Sequence, residues 1–190
     1  MAVTYTNFRG DTYYLHKGKT KKGTPQYFFS KKREGALVVS IPEGYEIHEN
    51  PNGRIILRKI TAKQVTGQEI SIVEKGIKQF SGVEHFKIDV KGKEITVFLP
   101  DQEIDTLVDH LSDLSFFKQP RLKEDLKKVL TYSPMMRFVL DDEKSRKFVV
   151  ERMCFIDPEG WIFLSGSDDL AKLVKKYSPH LGKDTFFELM

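Results

Sequence analysis

One cysteine, Cys154, stands in a chain of 190 residues. An internal disulfide is impossible and a cysteine-rich zinc site is excluded with it, which fits a reducing cytoplasm. Long apolar runs are missing as well: the longest are four residues, such as Ala36 to Val39 and Trp161 to Leu164, against the roughly 20 that a membrane-spanning helix needs. No membrane partner is expected. The opening MAVTYTNFRGDT has neither a basic stretch followed by an apolar core nor a small-residue cleavage site, so no export signal is read and the expected location is cytoplasmic. The five histidines, at positions 16, 48, 85, 110 and 180, include no i, i+4 pair, the spacing that a helical zinc site uses. The glycine-rich phosphate loop, the dinucleotide fingerprint and the nucleophile elbow are absent too. No catalytic residue, metal or cofactor is therefore assigned, and an enzyme is the less expected reading.

What the chain does have is an uneven distribution of charge. The net charge of +4 is mild, yet residues 1 to 60 hold eleven Lys and Arg against five Asp and Glu, while the remaining 130 hold 20 against 22. The whole excess lies at the front. Between positions 9 and 33 there are eight basic residues and one acid, Asp11. Such a density of one sign attracts polyanions and speeds their encounter, which is a statement about partners and not about fold.

Turn signals and periodicity divide the chain into three stretches. Thr12 to Lys17 and Gln26 to Lys31 are rich in aromatics and joined by a loop with Gly18, Gly23 and Pro25, which predicts a hairpin with an open basic tip. Gly44 to His48 and Arg54 to Arg58 flank Asn50-Pro51-Asn52-Gly53 and predict a second hairpin, with Asn-Gly supplying positive φ angles. Ala36 to Ile41, between the hairpins, reads as a short helix or strand. From Thr61 onward, Ile70, Val73, Ile77 and Phe80 repeat at helical spacing, behind a capping box at Thr61 and Gln64 or at Thr66 and Glu69. A third hairpin turns at Lys91-Gly92-Lys93. Ile104, Leu107, Val108 and Leu111 predict one amphipathic helix, and Leu122, Leu126, Val129 and Leu130, after Pro120, another. Alternation around Phe138, Phe148 to Ile156 and Trp161 to Leu164 predicts a three-strand meander with a turn at Asp157 to Gly160; a last helix follows, with Ser167 as N-cap and Asp168 and Asp169 in its first turn.

Strands and helices are grouped instead of regularly alternated, so the expected class is α+β: antiparallel hairpins and a three-strand meander packed with about four helices, closing in a βββα unit. Residues 1-60 read as a basic β-rich unit of two hairpins and 61-190 as an α+β body; one continuous domain is equally compatible.

The opening hairpin is the candidate binding element. Side chains two apart share a face of a strand, so large apolar groups occur on both of its faces. Tyr14, His16, Tyr27 and Phe28 would stack on bases, and Lys17, Lys19, Lys21, Lys22, Lys31, Lys32 and Arg33 would meet phosphates. The partner expected is a nucleic acid, DNA or RNA. In type, though not in motif, the hairpin is similar to the sheet arms with which some integrase N-terminal domains touch DNA; no residue is carried over from that likeness. Aromatics are also ordinary strand residues, and lysines keep exposed hairpins from aggregating. Two alternatives stand beside this reading: a protein-protein interaction or assembly module with the hairpin as contact face, including a homo-oligomer, and a metal-dependent nuclease using Asp89 and Lys91. Asp105, Asp109 and Asp113 share a helix face and read as its wet side. Cys154 and Trp161 read as core residues, and His180 as a structural residue past a helix end.

Overall fold

The computed structural model describes residues 1–103, 106–108, 122–156 and 160–190. The expected aspartate face at Asp105, Asp109 and Asp113, most of the helix around it, and the turn at Asp157, Pro158 and Glu159 lie outside them. The class is α+β with antiparallel sheets, and the chain divides into two compact units. Met1–Ile60 and the described residues 122–130 form the first; the second holds the rest, from Thr61.

The first unit begins with a three-stranded sheet in the order β1 (Thr4–Thr6), β2 (Thr12–Lys19), β3 (Pro25–Ser30). Leu15 faces Phe29 and His16 faces Phe28 in its register. Ala36 to Ile41 is neither helix nor full strand. It runs extended beside β2, where the Val38 amide donates to Leu15 and the Lys17 amide donates to Ala36. A separate hairpin pairs β4 (Tyr45–Glu49) with β5 (Ile55–Lys59). Its turn needs only one positive φ, at Gly53 (74°), because the Asn50 side chain accepts from the Asn52 and Arg54 amides and closes the loop. Asn7, buried, ties the two sheets together: its Oδ1 accepts from the Arg9 and Asp11 amides, and its Nδ2 donates to the Gly53 carbonyl at 2.8 Å. The helix α2 (Leu122–Val129) belongs to this unit, and the Arg9 guanidinium donates to the Leu130 carbonyl beyond its end. Val129, 66% exposed, lies outside the buried stripe expected for that helix.

In the second unit the third hairpin and the meander are one five-stranded sheet, in the order β10-β9-β8-β7-β6. The joint is the pairing of β7 (Glu94–Pro100) with β8 (Tyr132–Asp142), which sets Ile95 opposite Phe138 and Val97 opposite Met136. β6 (Lys87–Lys91) flanks it on one side, β9 (Lys147–Met153) and β10 (Trp161–Asp169) on the other. The inward faces of β7, β8 and β9 meet Val73 and Ile77 of α1 (Gly67–Phe80) and Leu170, Leu173 and Val174 of α3 (Leu170–Tyr177) in one core.

Thr66 and Glu69 form the capping box of α1: the Thr66 hydroxyl accepts from the Glu69 amide and the Glu69 carboxylate from the Thr66 amide. The same carboxylate receives Arg146 at 2.6 and 2.9 Å. Arg146 sits in the β8–β9 turn with φ of 53°, a left-handed conformation unusual outside glycine.

Several expectations change in this unit. The N-cap of the last helix is Asp169, which accepts from the Ala171 and Lys172 amides, because β10 stays paired with β9 as far as Asp169 and Lys147; Ser167 is still in the strand. β9 ends at Met153, so Cys154 is only half-buried and Ile156 is 96% exposed. Trp161 is no core anchor: the Arg137 guanidinium lies 4.2 Å from its ring centre, and Arg137 also pairs with Glu151. The inward position after Phe148 and Val150 is taken by Arg152, buried, which donates to the carbonyls of Leu189, Phe187 and Met153. Among the described residues no helix is long and apolar enough to cross a membrane.

Candidate nucleic-acid interface

The hairpin tip is built by Thr20 and Gly23. Thr20 and Thr24 close the loop backbone to backbone at 2.9 Å, the Thr20 hydroxyl accepts from the Thr24 amide, and Gly23 takes a φ of 81° that a side chain would resist. Lys19, Lys21 and Lys22 stand exposed around this tip, with Lys17 exposed on β2 just before it and Lys32 exposed after β3. None of these five forms an ion pair with a described residue. Lys31 differs: it pairs with Asp11 at 2.8 Å, and this hydrogen bond raises its pKa above the ordinary lysine value. The one acid in the basic stretch thus neutralises one of its lysines. Arg33 lies with its guanidinium carbon over the Tyr14 ring, 5.8 Å from the centroid.

The two faces of the hairpin have different fates. Tyr13, Leu15, Tyr27 and Phe29 share one face; Leu15 is fully buried, and the Tyr27 ring meets Tyr45 of β4 at 6.5 Å. A cleft of about 620 Å³ on this side has Tyr13, Tyr27 and Phe29 in its lining, with Arg9 and Arg54 as its cations. The Arg9 Nε is buried without a hydrogen-bond partner among the described residues. On the opposite face His16 is buried, contrary to a role as a surface contact: its Nε2–H donates to the Lys32 carbonyl at 3.0 Å, and Gly35 packs against its ring. Phe28, its cross-strand neighbour, is 46% exposed, with its ring stacked on the imidazole at 5.4 Å and 12°.

No family model, no curated protein and no solved structure matches the chain. The structure gathers Lys17, Lys19, Lys21 and Lys22 at the tip end of the hairpin, and puts Tyr14, Phe28, Lys32 and Arg33 on or beside its other face. It sets Tyr27 and Lys31 into contacts within the unit. Arg9, Tyr13 and Arg54, around the cleft, were not singled out from the sequence, although Arg9 and Arg54 belong to the same basic excess.

Elsewhere the candidate chemistry stays dispersed. Asp89 faces Thr96 across β6 and β7, and Lys91 faces Glu94. Among the described residues no group of three or more His, Cys, Asp or Glu side chains is placed to hold a metal ion. His48 faces Ile56 in β4, and the His180 Nδ1 lies 3.0 Å from the Thr185 hydroxyl in the turns after α3. A second cleft, of about 680 Å³, lies among the end of α1, the end of β7 and the turn Leu181 to Lys183, with Glu84, His85, Glu103 and Lys183 as its charged or titratable lining.

Proposed function

We propose that this protein binds nucleic acid without transforming it, using the basic β2–β3 hairpin as its contact. The observation that carries the reading is the set of five exposed lysines, Lys17, Lys19, Lys21, Lys22 and Lys32, that have no acidic partner among the described residues. A structural hairpin in need of solubility is served by scattered charges of both signs; four unpaired cations at the tip end, with a fifth beyond β3, keep their full potential for phosphates. Each phosphate neutralised releases a condensed counterion, so affinity falls as salt rises, with a slope of about −0.7 per contact on single strands and −0.9 on duplex.

The test is fluorescence anisotropy of labelled single-stranded and duplex DNA and RNA, titrated with the protein at several salt concentrations. Five contacts give a log–log slope of about −3.5 on a single strand. The triple variant Lys19→Ala, Lys21→Ala, Lys22→Ala reduces its magnitude by about 2. A triple variant with unchanged affinity and slope would remove the reading.

A second reading, the assembly module, has one observation in its favour. β3 is a sheet edge, paired on one side only by β2, and an unpaired strand edge is a template for another chain. Sedimentation at increasing protein concentration distinguishes the two: a strict monomer that binds oligonucleotides leaves no need for it.

A further inference from the structure

We infer that the form of nucleic acid this hairpin takes is an unpaired strand, with one base seated on the exposed ring of Phe28; the inference rests on the proposed reading of the hairpin as a nucleic-acid surface. Of the two aromatic faces, the one with Leu15, Tyr27 and Phe29 packs in part within the unit, with Leu15 buried and Tyr27 against Tyr45, and borders the cleft, whose lining also includes Phe28. The other leaves a single large ring open, Phe28, at 46% exposure.

That ring is held from behind. It stacks on His16 within 12° of parallel, and His16 is buried and fixed by its hydrogen bond to the Lys32 carbonyl. It also lies over Gly18, where a Cβ would come within 3.3 Å of the ring, a tight contact that would make the ring shift slightly. An exposed phenylalanine usually has rotamers to lose when it is covered. The stack on His16 and the close approach to Gly18 restrict those of Phe28, so a base laid on its outer face meets a partly preorganised surface.

The charge is arranged to match. Phe28 is three residues from Pro25, which faces Lys19, a distance of about 10 Å along the strand. Lys17 and Lys19 leave β2 on the face opposite Phe28, so the phosphates on either side of a stacked base fall to the loop lysines Lys21 and Lys22 at one end of β3 and to Lys32 and Arg33 at the other. A duplex hides the faces of its bases within the stack and offers Phe28 only its backbone; an unpaired strand offers both the base face and the phosphates.

The experiment compares labelled oligodeoxyuridylate, oligouridylate and a blunt DNA duplex on the wild-type protein, Phe28→Ala, Phe28→Leu and the tip triple variant, with each variant's melting curve as a check of folding. Phe28→Leu keeps an apolar cover over Gly18 and His16 while removing the flat ring. The wild type is expected to favour the unpaired strands over the duplex, and the difference between the two oligonucleotides identifies whether a deoxy or a ribo strand is preferred. Phe28→Leu is expected to weaken binding to them about 5- to 150-fold with an unchanged salt slope. Equal affinity of wild type and folded Phe28→Leu, or equal affinity for duplex and single strand, overturns the inference; if the tip triple variant still loses binding in that case, the nucleic-acid reading survives it. Absence of binding to all three probes by the wild type at low salt overturns both.

Discussion

Glu69 does two jobs at one position. As the third residue of α1 it caps the Thr66 amide, and from the same carboxylate it holds Arg146 in the β8–β9 turn. Burial alone pushes this carboxyl up; the hydrogen bonds from Arg146 and Thr66 outweigh burial and hold it below the ordinary glutamate range. A depressed folded-state value has a definite sign: the stabilisation is present in full above the unfolded value, about 4.3, and is lost as pH falls through the lower folded value. Glu69→Gln keeps an acceptor for Thr66 and removes the charge facing Arg146. With the Arg146 side chain 37% exposed and screened by water, the loss at neutral pH is expected at about 1 kcal/mol. Urea denaturation of both proteins along a pH series checks this. The gap between them is expected to be constant from neutrality down to the ordinary carboxylate range and to shrink below it; a gap that persists unchanged into acid would mean the pair contributes through packing and not through charge.

Between elements of the second unit, α1 and α3 approach closely at Gly76, where a Cβ would stand 2.1 Å from the Val174 Cγ1. Alanine is the better helix former by about 1 kcal/mol, so an unpacked helix would gain from Gly76→Ala. Here overpacking of about 1–3 kcal/mol wins, and the variant is expected to melt lower; Val174→Ala in the same chain should restore part of the loss, because it removes the methyl that collides. Additive losses in the double variant would show that the two sites are not in contact. Nothing in the sequence marks Gly76, since its constraint comes from a helix about a hundred residues further on. The same limit explains what was and was not legible. α1 was readable because a helix and its box are local, with its cap narrowed to two candidate boxes of which Thr66 and Glu69 form, and the two N-terminal hairpins announced themselves through Gly23 and Asn50 to Gly53. The merging of the third hairpin with the meander depends on β7 finding β8 across residues 101 to 131, which no periodicity reports. Arg152 did fall on the inward side of its alternating strand, and a charged residue at such a position signals that backbone carbonyls will be brought to it. For the candidate interface, the lysines were legible as a local density of charge, whereas the burial of His16 was not: the chain from Lys32 to Leu37 folds back over it.

At the scale of the whole molecule, the question is whether affinity for a polyanion follows total charge or its placement. The chain carries +4 in all, but the first 60 residues have six more bases than acids and the remainder two fewer. Two pairs of exposed lysines separate the possibilities. Lys21 and Lys22 lie at the hairpin tip; Lys175 and Lys176 lie in the last turn of α3. Replacing either pair by alanine changes the net charge by the same two units, so any effect of overall charge, acting through a field screened beyond about 8–10 Å at physiological salt, must be the same for both. A contact at the tip is not symmetric in this way. Loss of Lys21 and Lys22 is expected to flatten the single-strand salt slope by about 1.4, two counterions at about 0.7 each, and loss of Lys175 and Lys176 to leave it unchanged. The anisotropy titrations that measure these slopes also report on α3: cations in its last turn favour the helix dipole by about 0.3–1 kcal/mol each, so the Lys175→Ala, Lys176→Ala protein is expected to melt lower while binding as before. The tip variant should do the opposite, binding less with an unchanged melting temperature. Equal flattening by both pairs would place the interaction in the net charge of the molecule and take the hairpin out of it.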